Sequence, residues 1–205
     1  MTSADRLVAR VRGLLGRGDE PLIVGIDGGS GSGKSTLAAA VAERLLGGTD
    51  PVATIVIDGD DFYRGGSAAQ WDRRTAAQNA DGVIDWRRQR EVLQALRRDG
   101  TAQWAPFDWD AGTWESEEPP HVPTPVLVRA VPVVVLEGVY SCRPELHDLL
   151  DLRVLVEVPR SVQEQRALER EGDDHRPDWE LRWRRAEDHY FGVTMTPERF
   201  DMVLR

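Results

Sequence analysis

The segment that most constrains this chain is GGSGSGKS, Gly28 to Ser35, set between an apolar run and a helix-forming one. The run before it, LIVGI at residues 22 to 26, is short and apolar and ends in glycines, the pattern of a buried parallel strand. After it, Thr36 to Leu46 reads as a helix that stops at Gly47 and Gly48. Glycine, four residues, then glycine, lysine and serine is the pattern of a phosphate-binding loop, and the strand and helix on either side are the context it requires. Its glycines let successive backbone N–H groups curl round phosphate oxygens, and the following helix adds the positive end of its dipole. Gly28, Gly29, Ser30, Gly31, Ser32, Gly33, Lys34, Ser35 and Thr36 are therefore the candidate ATP contacts. Lys34 would reach the β and γ phosphates, and the Ser35 hydroxyl would hold Mg²⁺.

Lys34 is the single lysine among 26 basic residues. A switch protein that reads guanine through an asparagine, lysine, any residue, aspartate motif would need a second lysine, so that class is excluded. The 35 acidic residues outweigh the basic ones and leave a formal charge of −9, which argues against broad capture of nucleic acid or an anionic membrane. No run of about 18 apolar residues could span a bilayer. The arginine-punctuated N-terminus lacks the form of a secretory signal. A lone cysteine, Cys142, fits a reducing cytoplasm. The length of 205 residues suits one domain, and a homo-oligomer stays open.

Strand and helix signals alternate along the rest of the chain, which predicts an α/β fold with a parallel sheet flanked by helices. Helices are expected at residues 4 to 15, Ile84 to Arg98, 143 to 150 and Trp179 to Phe191. Further strands are expected at Val52 to Ile57, Val131 to Leu136, Leu152 to Val158 and Phe200 to Leu204, with a short edge strand at Val126 to Val128. Ser161 and Glu164 read as a capping box. Arg64 to Gly82 is polar and poorly periodic and reads as a mobile, substrate-facing segment. The tryptophan-rich stretch QWAPFDWDAGTWESEEPPHVPTP holds too many turn residues for regular structure throughout.

Asp60 and Asp61 end the second strand and Glu137 ends VVVLE, so carboxylates converge at the carboxyl edge of the sheet, where open α/β folds bind ligands. One would support Mg²⁺ and another would orient or deprotonate an acceptor hydroxyl. A kinase acting on a phosphate acceptor would instead call for arginine clamps. Tyr63, Trp71, Trp104, Phe107, Trp109 and Trp114 form an aromatic group that would line an acceptor pocket or pack a lid onto the core.

GIDGGSGSGKSTLA, DGDDFY at residues 58 to 63 and VVVLEGV at residues 133 to 139 together resemble the uridine kinase and phosphoribulokinase group of P-loop kinases. The resemblance implies a P-loop three-layer sandwich with a substrate-facing insertion at about 62–120 and a lid at about 166–178. It implies Asp60 as the group that activates the acceptor hydroxyl, and Ser35, Asp60 and Glu137 around Mg²⁺. Arg166, Arg170 and Arg176 would be lid arginines that meet the transferring phosphate. Asp61, Tyr63, Asp81 and Phe107 would face the acceptor, with Asp81 in the place of a ribose-binding aspartate. Pyrimidine nucleoside kinases carry a tyrosine where this chain has Phe107, followed shortly by histidine and arginine, and PFDWDAGTW has neither. The resemblance thus implies ATP-dependent phosphorylation of a nucleoside or similar small molecule in the manner of a uridine kinase. Nicotinamide riboside, pantothenate or a sugar is an alternative acceptor, and a non-catalytic ATP sensor is a second reading.

Overall fold

Five short apolar runs pair side by side as parallel strands. The computed structural model describes residues 1–16, 20–111, 119–171 and 177–205. The strands of the sheet are β1 (Leu22–Asp27), β2 (Thr54–Asp58), β5 (Val133–Glu137), β6 (Leu152–Val156) and β7 (Met202–Leu204), in the order β2-β5-β1-β6-β7. β5 is buried along its whole length and β1 along all but its first residue, as expected of central strands covered on both faces.

Side chains alternate between two cores. Ile23, Ile57, Val134 and Leu136 point to one face, and Val24, Ile26, Val133 and Val135 to the other. The second face is covered by α1 (Ser3–Arg12) and α2 (Lys34–Leu46) through Leu7, Val11, Leu37, Val41 and Leu45. The first is covered by α5 (Trp86–Asp99), through Val92, Leu93 and Leu96, and by α7 (Pro177–His189), through Ala186. The register opposes Ile26 to Glu137 and Asp58 to Glu137, so the acidic ends of β1, β2 and β5 finish level at one edge.

Several elements differ from the sequence expectation. Arg64 to Gly82 is largely helical: α3 (Ala68–Asp72) and α4 (Ala76–Gly82) each begin with a capping box, Ser67 with Gln70 and Thr75 with Gln78. These caps offset the weak hydrophobic periodicity, and α4 packs against α7. Val126–Arg129 is β4, but it joins no part of the main sheet. It pairs antiparallel with β3 (Thr101–Trp104), a strand the sequence did not predict, whose last two residues open the tryptophan-rich stretch. Residues 143 to 150 contain only the single turn Pro144–Leu146. α6 (Arg160–Glu171) starts one residue before Ser161, and Glu164 pairs with Arg160 and Arg184 rather than closing a capping box. Past His189 the last helix continues as a wider turn, Tyr190–Thr194.

Candidate active site

The segment Gly28 to Ser35 forms a loop between β1 and α2. Gly28 has φ 150, and a Cβ there would lie 2.4 Å from the Val156 carbonyl oxygen, so only glycine fits at the first turn. α2 is capped by Gly33, whose lack of a side chain leaves the helix's first N–H groups available to an anion. Lys34 is buried, and its Nζ donates to the Gly29 carbonyl at 3.1 Å, which holds the ammonium across the loop. Ser32 Oγ is buried with no hydrogen-bond partner among the described residues, as expected of a hydroxyl waiting for a phosphate oxygen.

A cavity of about 260 Å³ opens over this loop. Lys34, Ser35 and Thr36 line it from α2, Asp58 and Asp60 from the end of β2, Glu137 from the end of β5, and Arg166 from α6. The Asp58 carboxylate accepts the Asp60 N–H at 2.9 Å and so caps the tight turn Gly59–Phe62 that carries Asp60. Glu137 is buried and its carboxyl is pushed upward by that burial. The Ser35 hydroxyl bond and the Lys34 charge pull it down, while Asp58 and Asp60 push it further up. Carboxylates that crowd one another beside a serine hydroxyl are a donor set that Mg²⁺ would relieve. No group of three or more His, Cys, Asp or Glu converges as a complete cage among the described residues.

Arg166 reaches back from α6, and its Nη1 donates to the carbonyls of Gly31 at 3.1 Å and Ser32 at 3.3 Å. Among the described side chains, this places one of the lid arginines expected from the sequence at the loop. The side chain of Arg170, and Arg176 and Trp114 altogether, lie outside the described residues.

The acceptor-side residues divide. Asp61 does not line the cavity: it is half-buried and accepts Trp104 Nε1 at 2.7 Å, while its backbone carbonyl accepts the Phe107 N–H. Burial pushes its carboxyl up. Tyr63 and Phe107 are buried and meet edge to face at 4.9 Å, with Trp109 stacked on Tyr63 at 5.0 Å. Both belong to the aromatic core, and Tyr63 also borders a cavity lined by Arg64, Asp85, Arg88 and His121. Asp81 is paired with Arg143 at 2.7 Å and lies on a separate cavity of about 390 Å³ with Arg64, Gln70 and Arg74.

Three site residues were missed by sequence reasoning. Asp58 begins the DGDD run, and its capping role was legible in that spacing. Asp27 is completely buried at the end of β1 and accepts hydrogen bonds from Gly28, Tyr140 and Cys142 N–H groups and from the Tyr190 hydroxyl. Its burial raises the carboxyl, and the Cys142, Tyr190 and Gly28 donors pull it back. An acid closing an apolar strand directly before the loop was its visible signal. Glu187, on α7, accepts the Ser30 N–H at 3.2 Å through both oxygens, and its carboxyl is pushed up to about 7, first by burial. Nothing in the charge-rich helix sequence singles it out.

The model of the family described as phosphoribulokinase / uridine kinase matches residues 23–176, which contain the loop, the DGDD turn, Glu137 and Arg166. The chain belongs to the phosphoribulokinase / uridine kinase family. Relatives include a uridine kinase of Alkaliphilus metalliredigens, 29% identical over 160 residues that span 76% of this chain and 71% of the relative. Another is a uridine kinase of Ligilactobacillus salivarius, 27% identical over 161 residues covering 77% and 70%. A solved structure described as a possible uridine kinase from Bacillus stearothermophilus is similar with TM-score 0.70 over 98% of this chain and 97% of that one; at 20% identity this shows the fold alone. The family makes the chain a P-loop kinase, with a mostly parallel sheet flanked by helices. Among the described residues no helix is long and apolar enough to cross a membrane.

Proposed function

We propose that this kinase transfers the γ-phosphate of ATP to a hydroxyl group of a small molecule, with Asp60 as the residue that orients the hydroxyl and accepts its proton. The observation that carries this reading is the shared cavity. Asp58, Asp60 and Glu137 face Lys34, Ser35 and Arg166 across one space, so a carboxylate and the phosphate contacts border the same reacting centre. Phosphoryl transfer needs little covalent chemistry from the protein, and positioning and charge stabilisation supply most of the rate. Lys34 exchanges its bond to Gly29 for the β and γ phosphates, while Arg166 covers the loop from the lid side. Ser35 and Glu137, with Asp60 nearby, hold Mg²⁺, which when bound screens the phosphate charge. A reducing cytoplasm, with its ATP supply, suits a chain whose one cysteine is a buried free thiol.

For the acceptor, the position of Phe107 favours a non-pyrimidine over uridine. Its ring is only 2% exposed and packed on Tyr63, and it has no polar atom to offer a base. The test is acceptor-dependent ADP production across nucleosides, nicotinamide riboside, pantothenate and sugars. Stimulation by one class identifies the acceptor, and strong selectivity for uridine would overturn the argument from Phe107. ATP binding with no stimulation by any acceptor would replace the kinase reading with that of an ATP sensor.

A further inference from the structure

Four donors from three parts of the fold converge on one buried carboxylate. Asp27 Oδ1 accepts from Gly28 N at 2.8 Å and Tyr140 N at 3.0 Å, while Oδ2 accepts from Cys142 N at 2.9 Å and the Tyr190 hydroxyl at 2.8 Å. Gly28 opens the phosphate loop, Tyr140 and Cys142 follow Glu137, and Tyr190 follows α7. Tyr140 is also the one non-glycine residue with positive φ, 72, among the described residues. A bulky side chain in that region costs of order 1–3 kcal/mol and persists only where its surroundings hold it. The bonds from its own N–H and from Cys142, two residues on, are such a hold.

The turn that Asp27 grips is in turn packed against the acceptor side. A Cβ on Gly59 would lie 2.8 Å from the Glu137 carbonyl and 3.3 Å from Gly138 Cα, so the residue between Asp58 and Asp60 rests directly on the chain leaving β5. We infer that Asp27 is a positioning residue which locks the phosphate loop to the turn after Glu137, and through Gly59 sets where Glu137 and Asp60 stand relative to the bound phosphates. This rests on the kinase reading for its catalytic consequence, but the linkage itself is readable in binding alone.

Asp27→Asn is the direct test. An amide oxygen turned toward Gly28 and Tyr140 leaves an NH₂ facing the Cys142 N–H, donor against donor, so the turn after Glu137 loses its grip while the side chain keeps its size. ATP affinity is measured by calorimetry with and without Mg²⁺, and turnover with whichever acceptor stimulates the wild type. The expected result is ATP affinity without Mg²⁺ within about 3-fold of wild type, a Mg²⁺ enhancement of that affinity cut by about 10-fold or more, and kcat reduced by about 10-fold or more with the KM for ATP nearly kept. A folded Asp27→Asn protein with unchanged Mg²⁺ enhancement overturns the inference, whether or not an acceptor is found. Absence of any acceptor-stimulated turnover in the wild type counts against the kinase reading alone. Should Asp27→Asn fail to fold, Tyr190→Phe removes one donor and keeps the ring against Tyr140, 4.8 Å between centroids. It should reduce the Mg²⁺ enhancement about 2-fold to 5-fold, and no change there overturns the inference equally.

Discussion

Glu187 places a carboxylate against the phosphate loop, and the consequence for stability can be worked out from its surroundings. Burial is the largest influence and raises the carboxyl. Lys34 and the Ser30 N–H lower it, and Asp27 and Asp188 raise it again, for a value of about 7 against an ordinary 4.5. Tyr140 also feels the Glu187 charge, and Arg160 and Arg184 line the same cavity as Glu187. Because the folded state holds this proton more tightly than the unfolded chain, stability falls as pH rises from about 4.5 to about 7, and the full penalty stands above that window. A shift of this size is worth about 3 kcal/mol, and partial exposure of the side chain reduces it to about 2 kcal/mol. Glu187→Gln keeps an oxygen for the Ser30 N–H and removes the charge. The variant should therefore be more stable than wild type by about 2 kcal/mol at pH 8 and by less than about 1 kcal/mol at pH 5. Urea denaturation followed by tryptophan fluorescence at the two pH values measures this. ATP should also draw Lys34 toward its phosphates and leave Glu187 to take up a proton, read by calorimetry in buffers of different ionisation enthalpy. A stability gap independent of pH, or a less stable variant at pH 8, would falsify the assignment of an ionised, poorly compensated Glu187 at the loop.

Other perturbations separate the parts of the site. Asp60→Asn should lower kcat by about 10²-fold to 10⁴-fold while ATP affinity changes by less than about 3-fold, and turnover near wild type would remove Asp60 from its role as base. Gly28→Ala should destabilise by about 1–3 kcal/mol, because the added methyl meets the fixed Val156 carbonyl, and a denaturation midpoint equal to wild type would contradict the close approach. Since Lys34 is the only lysine, an amine-directed reagent can label it or the N-terminal amine alone. Saturating ATP with Mg²⁺ should protect Lys34, and undiminished labelling would place the nucleotide elsewhere.

The fold and the phosphate-loop half of the site were legible because both rest on local pattern. LIVGI, VVVLE and LRVLV are apolar runs that can be buried only as central strands, and GGSGSGKS has one conformation that suits its glycines and the helix behind it. The parallel register then carried Glu137 and the DGDD turn to the same edge without further information. Residues 64 to 82 were misread because their helices are held by capping boxes and by packing on α7 rather than by an amphipathic stripe. β3 was missed, and the partner of the expected strand at Val126 to Val128 with it, because a two-stranded ribbon depends on partners more than twenty residues apart.

The residues expected to face the acceptor were harder to place from the sequence for a different reason: long-range contacts that residue type alone does not reveal decide where they stand. Asp61 has the same chemistry as Asp60 one position away, yet the tight turn rotates it toward Trp104 and leaves Asp60 on the cavity. α7 shows the same effect over a whole helix. By sequence its tryptophans mark ordinary packing, and Trp183 does pack, 5.0 Å from Trp71 and 6.4 Å from Tyr63. Arg182 of the same helix pairs with Asp72 at the end of α3, Glu187 sits on the Ser30 N–H, and Tyr190 just beyond it bonds Asp27. One element therefore touches the aromatic cluster of Trp71 and Tyr63, the phosphate loop and the clamp behind Glu137. A shift of the α7 backbone at Glu187 would strain the Tyr190 bond to Asp27 and the Trp183 contact with Trp71 together, because the helix between them is a span of backbone hydrogen bonds, whereas a rotamer change of Glu187 alone would free the Ser30 N–H and leave both in place.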